Sequence, residues 1–263
     1  MKIKSICKRL KKDLIPKSFK KTYFEFLFDL KTNNFTIASL EECNDIILSK
    51  SKFAKLAGLR HDVDIHNISG NRMFFQIEKD LGITATYYFR KKTAHSHRKF
   101  INELLENGFK VGYHYEEGSD IAKLHKISSR DDLFSHVEEI KSLFAKNTGE
   151  FRRQFNPDLS SVCAHGDWID RKLNFINYEF IDQDLLKQCG LAFEAYKSEI
   201  FEESQYYLTD TQTDPERWNY EELLQLDVLY ILTHERSWHS DPISNIRENL
   251  VRISESISYN LRF

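Results

Sequence analysis

Five short apolar runs in this chain each end in a residue type that can bind a metal or move a proton, and segments of helical period lie between most of them. The runs cover residues 57–65, 110–116, 161–167, 206–211 and 228–235. Their polar ends read Arg60-His61-Asp62-Val63-Asp64, His114-Tyr115-Glu116, His165-Gly166-Asp167, Thr209-Asp210-Thr211 and His234-Glu235. Apolar runs of this length read as buried strands. Strands that alternate with helices assemble into a mostly parallel sheet with helices outside it. In an α/β barrel the active site lies at the C-terminal ends of the strands, and all five runs are polar at that end. A single His or Asp there is ordinarily a hydrogen-bonded structural residue or a helix cap. Five in the same sense constrain the chain to an α/β fold with a polar cluster on one rim.

The first run carries the densest signal. Side chains alternate faces along a strand, so Asp62 and Asp64 project from one face, one pleat apart. Two carboxylates that close repel, and their burial is costly without a partner. A divalent cation beside them removes that cost; a solvated pair at a strand end is the equally open alternative.

The intervening segments show helical spacing. Residues 70–81 place Phe74, Ile77 and Leu81 on one face. Residues 84–89 read as a buried strand. Phe100, Ile101, Leu104 and Leu105 form a stripe closed by Asn107-Gly108, a helix stop. Leu133, Val137, Ile140 and Phe144 repeat the spacing, as do Ile246, Leu250, Ile253 and Ile257 after Asp241-Pro242. These stripes are expected to be core. Phe24, Leu27 and Phe28 followed by Phe35-Thr36-Ile37 predict a helix and a short strand ahead of the first motif.

Length and composition bound the class. The chain has 263 residues, of which 41% are hydrophobic and 13% aromatic, enough for one α/β barrel with a sizeable core. The net charge of -2 gives no global field for nucleic acid. Cys7, Cys43, Cys163 and Cys189 are scattered, which argues against a zinc knuckle or a disulfide scaffold. No run is long enough to span a membrane, and the first residues lack the apolar core of a signal peptide, so the expected compartment is the cytoplasm. Residues 1–22 carry nine Lys and Arg interleaved with Ile3, Ile6, Leu10, Leu14 and Ile15. Such a segment can lie peripherally on an anionic membrane surface. Because Pro16 shortens any helix there, a lysine-rich lead-in packing on the barrel is favoured. The expected division is a lead-in over residues 1–55 and a barrel over 56–263.

Taken in order, Arg60-His61-Asp62-Val63-Asp64, Ala85-Thr86-Tyr87-Tyr88-Phe89, Val111-Gly112-Tyr113-His114-Tyr115-Glu116, Cys163-Ala164-His165-Gly166, Thr209-Asp210-Thr211 with Arg217-Trp218, and Leu232-Thr233-His234-Glu235 resemble the motifs of the polysaccharide deacetylases, the NodB-type carbohydrate esterases. The nearer likeness is to a divergent branch opening with His-Asp-Val-Asp, some of whose members sit in bacterial surface-polysaccharide gene sets. The resemblance covers roughly residues 55 to 240. It implies a distorted, incomplete (β/α) barrel, a divalent metal, zinc first among the candidates, and hydrolysis of an N-acetyl amide on a sugar or glycan precursor. It implies Asp62 as the base and Asp64 and His114 as ligands. The common second motif has two His four residues apart, whereas Gly118 stands four after His114. His165, Glu116 and Glu117 are the available replacements, and His165 is the expected third ligand. His234 is expected to protonate the leaving amine and Arg60 to orient Asp62. Arg60, Tyr113, Glu116, Asp210 and Trp218 are the substrate-binding candidates; for Trp218, a buried anchor is an equal alternative. With the second His missing, an inactive barrel that binds a glycan or scaffolds other proteins is the alternative function, and a hydrolase of non-sugar amides a third. His66 shares the parity of Asp62 and Asp64 but lies past the strand. His95, His97, His125 and His136 read as solvated.

Overall fold

A computed structural model describes residues 21–64, 66–210 and 215–238, with scattered positions between 243 and 257. The basic segment 1–20, Thr211, Asp241-Pro242 and Ile253 lie outside the described residues.

The strands are β1 (Phe35–Ala38), β2 (Lys55–Val63), β3 (Thr86–Phe89), β4 (Lys110–Tyr115), β5 (Ser161–Ala164), β6 (Phe193–Glu194), β7 (Tyr206–Thr209) and β8 (Val228–Thr233). They form one parallel sheet in the order β6-β5-β4-β3-β2-β8-β7. β6 and β7 are its edges, and among the described residues no ladder between them closes it. The result is an incomplete (β/α) barrel. β2 is central and long. β8 pairs with residues 56–61 along one side. On the other side β1 pairs with residues 55–58 and β3 with 60–63, so two short strands share one edge end to end. Residues 35–38 are thus part of the sheet, reached through the helix Tyr23–Thr32, whose Thr22-x-x-Glu25 capping box satisfies its first amides.

Alternation along the strands sorts side chains into two apolar clusters. Ala57, Leu59, Val63, Tyr87, Phe89, Val111, Tyr113, Tyr115, Val162, Leu229 and Ile231 face outward under the helices. Leu56, Tyr88, Cys163, Phe193 and Tyr230 face the concave interior, with Ala38, Leu40, Cys43 and Ile200 packed beneath. The interior is therefore a filled core through its lower layers.

The helices follow the predicted segments with local differences. Residues 70–81 fall in Ser69–Leu81, and Phe100–Leu105 in Arg98–Glu106, which stops at Asn107 with Gly108 at φ 83°. The stripe from Leu133 to Phe144 is broken into Arg130–Ser135 and Val137–Gln154 at His136. In the first helix Leu27 is core, but Phe24 and Phe28 are exposed and stack on each other, because Tyr23, Phe26 and Leu30 take the buried face instead. Leu250 and Ile257 are exposed as well, so at those described positions the last stripe is not core. No helix among the described residues is long and apolar enough to cross a membrane.

Candidate active site

Strand parity decides what each motif presents. In β2, Leu59 and Val63 face the outer helices, and so does His61 between them. Its Nδ1 stands 2.6 Å from Thr233 Oγ1 and its Nε2 2.7 Å from Glu78 Oε1. The hydroxyls of Tyr23 and Tyr87 donate to the same carboxylate at 2.5 and 2.8 Å. His61 is a fully buried clamp between β2, β8 and the helix Ser69–Leu81. Its neighbours Arg60, Asp62 and Asp64 are left to face the interior.

On the concave side, the strand ends converge. His114 Nε2 lies 3.4 Å from Asp64 Oδ1 and 3.6 Å from Asp62 Oδ2. His165 Nε2 lies 3.6 Å from Asp64 Oδ1. The two imidazoles meet edge to face, with ring centroids 5.0 Å apart. From β8, His234 Nε2 reaches to 4.0 Å from Asp62 Oδ2. Its Nδ1 stands 2.8 Å from Asp210 Oδ1, and its backbone N–H donates to Asp210 Oδ2 at 2.7 Å. Asp210 thus fixes both ring and main chain of His234. Arg60 Nη2 donates to Asp62 Oδ2 at 3.2 Å and to the Tyr196 hydroxyl at 2.7 Å, while Nη1 donates to the Tyr230 hydroxyl at 2.8 Å.

These residues fit a metal ion. The ligand atoms of Asp64, His114 and His165 all lie within 4.8 Å of one another. Ligand atoms around a tetrahedral zinc stand about 3.3–3.5 Å apart, given metal–nitrogen bonds near 2 Å. The separations of 3.4 and 3.6 Å match that span and exceed good hydrogen bonds. His114 Nδ1 lies 2.9 Å from the Cys163 carbonyl oxygen, which accepts its proton and leaves the Nε2 lone pair facing Asp64. Asp62 Oδ1 is buried without a hydrogen-bond partner beside the cluster. Cys163 also approaches Asp62 and His114, but burial holds its thiol protonated, its pKa raised well above the usual range, and a neutral thiol is a poor ligand.

Electrostatics follow the geometry. Burial alone would raise the Asp64 carboxyl, but the imidazoles of His165 and His114 hold it well below the usual range. Burial and Arg90 lower His165, yet Asp64 and Glu116 carry it above its ordinary value. Burial likewise opposes the charge on His234, and Asp210, with Asp62 and Asp64 behind it, pushes its pKa up to about 10.

The substrate-binding candidates scatter. Arg60 is fully buried beneath Asp62 and unreachable by a ligand. Tyr113 adjoins His114 and so points to the opposite face, where its hydroxyl donates to Glu117 Oε1 at 2.6 Å. Trp218 packs at 5.4 Å from Phe26 and 5.5 Å from Trp238 by ring centroids, a core anchor away from the site. Glu116 is at the site but buried, with Arg90 Nη2 at 2.6 Å and Lys92 Nζ at 3.0 Å. Asp210 serves His234. Arg90 and Lys92 carried no motif of their own; only the pairing of β3 with β4 brings them to Glu116. His66 is exposed, 6.3 Å from the ring of His97. His97 is itself buried, because residues 91–97 form short helical turns in place of a solvated loop. His125 and His136 are surface residues that share Glu139.

No protein-family model matches the sequence, and no curated protein matches it. Solved structures do. The peptidoglycan deacetylase PdaC from Bacillus subtilis is 13% identical over 80% of this chain and 96% of its own, with a TM-score of 0.45. PdaA from Bacillus subtilis, a family 4 carbohydrate esterase, is 11% identical over 92% of both chains, with a TM-score of 0.43. A family 4 pseudoenzyme from Bacillus anthracis is 16% identical over 76% of this chain, with a TM-score of 0.38. The chain spans 60% of that pseudoenzyme, and 62% of its mutant with restored activity.

Proposed function

We propose that this chain is a metal-dependent deacetylase that hydrolyses an N-acetyl amide on a sugar or glycan precursor of surface polysaccharide. The observation that carries the reading is the facing of two devices across Asp62: the Asp64–His114–His165 cluster on one side and the Asp210–His234 pair on the other. Asp64, His114 and His165 would hold the ion, and a mixed His/Asp set suits zinc. When bound, a divalent ion supplies polarisation of the acetyl carbonyl and a water of lowered pKa.

The rest is work for the chain's own side chains. Asp62, steered by Arg60, accepts a proton from the attacking water at its carboxylate. His234 carries its proton on Nε2 toward the same interior, with Asp210 stabilising the imidazolium, and delivers it to the leaving amine. One C–O bond forms, one C–N bond breaks, and acetate and a free amine leave.

The experiment is metal analysis of the purified protein alongside acetate release from a panel of N-acetylated nucleotide-linked and lipid-linked sugars. The reading predicts a bound divalent metal and acetate from at least one sugar. Glycan binding with no acetate released from any of them would favour an inactive, glycan-binding barrel.

A further inference from the structure

The common motif's second histidine has no room here. A Cβ at Gly118 would stand 2.7 Å from Phe180 Cε2 and 2.8 Å from Asn177 Oδ1. Asn177 is committed there: its amide donates to Ser119 Oγ at 2.8 Å and to the His165 carbonyl at 2.9 Å. The space that a longer side chain at 118 would need is thus occupied by the residues that hold the His165 backbone.

β4 and β5 run in register with His114 opposite Cys163 and Tyr115 opposite Ala164. Glu116 and His165 follow as the next pair, and the His165 N–H donates to the Tyr115 carbonyl at 2.8 Å. Their side chains share the interior face, with His165 Nδ1 3.2 Å from Glu116 Oε2, an ion-pair contact without the alignment of a hydrogen bond. Glu116 is only 4% exposed. Its Oε2 also accepts from Arg90 and its Oε1 faces Lys92, so both oxygens are engaged by cations. A carboxylate so occupied is a poor ligand and is closed to substrate. It is well placed to hold a neighbouring imidazole by one nitrogen. His114 Nδ1, by contrast, is hydrogen-bonded, to the Cys163 carbonyl.

We infer that Glu116 is a positioning residue for His165: clamped by Arg90 and Lys92, its carboxylate attracts the Nδ1 side of the imidazole and so turns Nε2 toward Asp64. The inference rests on the metal centre proposed above. It assigns Glu116 to neither the ligand set nor the substrate site. Carboxylates that orient a ligating histidine are worth roughly 10- to 100-fold in metal affinity.

Calorimetric titration of the metal-free full chain with zinc tests it, on wild type, Glu116→Gln, His165→Ala and the double variant. Glu116→Gln should bind zinc about 10- to 100-fold more weakly. In the His165→Ala background it should change affinity by less than about 2-fold, because a residue acting through His165 has nothing left to act on. If Glu116→Gln does not fold, Arg90→Gln, which frees the carboxylate without removing it, carries the same expectation and the same cycle. Unchanged affinity in the single variant overturns the inference, as does a full second loss in the double variant, which would make Glu116 an independent ligand. A wild-type chain that binds no zinc overturns the metal centre itself and this inference with it.

Discussion

His114 Nε2 stands 3.4 Å from Asp64 Oδ1 although β3 runs between their strands. Two strand spacings amount to about 9–10 Å. Only side chains directed inward at the strand ends of a curved sheet can close that gap. The contact therefore depends on parity and curvature together: a one-residue slip of β4 would send His114 to the outer face and bring Tyr113 or Tyr115 inward.

Restoring the common motif should fail. Gly118→His would bring its Cβ within 2.8 Å of Asn177 and Phe180. Overpacking of this kind costs about 1–3 kcal/mol, and it displaces the Asn177 amide from the His165 carbonyl. The expected outcome is a lower denaturation midpoint and no gain in metal affinity. Tighter zinc binding at unchanged stability would show that the position is open after all.

Glu117 should govern stability against pH and leave the metal alone. It faces outward, accepting from Tyr113 and from the Asn147 amide at 2.8 Å, with its other oxygen unpartnered. Burial pushes its pKa up to about 7. A group whose pKa is raised on folding contributes stability that is complete below its unfolded value, about 4.5, and is lost as pH rises through about 7. Glu117→Gln keeps an acceptor for both donors and cannot ionise. It should gain on wild type progressively between about pH 4.5 and 7, by up to about 3 kcal/mol above that window, with zinc affinity unchanged. Parallel stability–pH curves for the two proteins would contradict this.

What the sequence made legible follows from periodicity. Apolar runs ending in His and Asp locate Asp62, Asp64, His114, His165 and His234 at strand ends, because period-two alternation and burial leave few other readings. The same alternation, applied to Tyr113 beside His114, would have turned Tyr113 away from the site. Arg60 and Trp218 were less accessible: their burial depends on Tyr196, Tyr230, Phe26 and Trp238, brought in by distant segments. Arg90 and Lys92 required the β3–β4 pairing. β6, two residues long, carries no period at all.

Trp218→Ala should be a stability variant. The indole is buried against Phe26, Tyr220 and Trp238, and truncating such a side chain costs about 3–5 kcal/mol. A large drop in denaturation midpoint is expected, with KM for an acetylated sugar unchanged in the folded fraction. A KM raised many-fold at wild-type stability would return Trp218 to the substrate site.

The central claim is that Asp64 and His114 hold a metal while Asp62 handles the proton, and metal content measured together with acetate release in three variants tests it most directly. Asp64→Ala and His114→Ala should lose both the metal and the activity. Asp62→Asn should keep about one metal per chain, since it removes a base and no ligand, and lose turnover by about 10²- to 10⁴-fold. A metal-free Asp62→Asn beside a metal-loaded Asp64→Ala would contradict the account by reversing the two carboxylates.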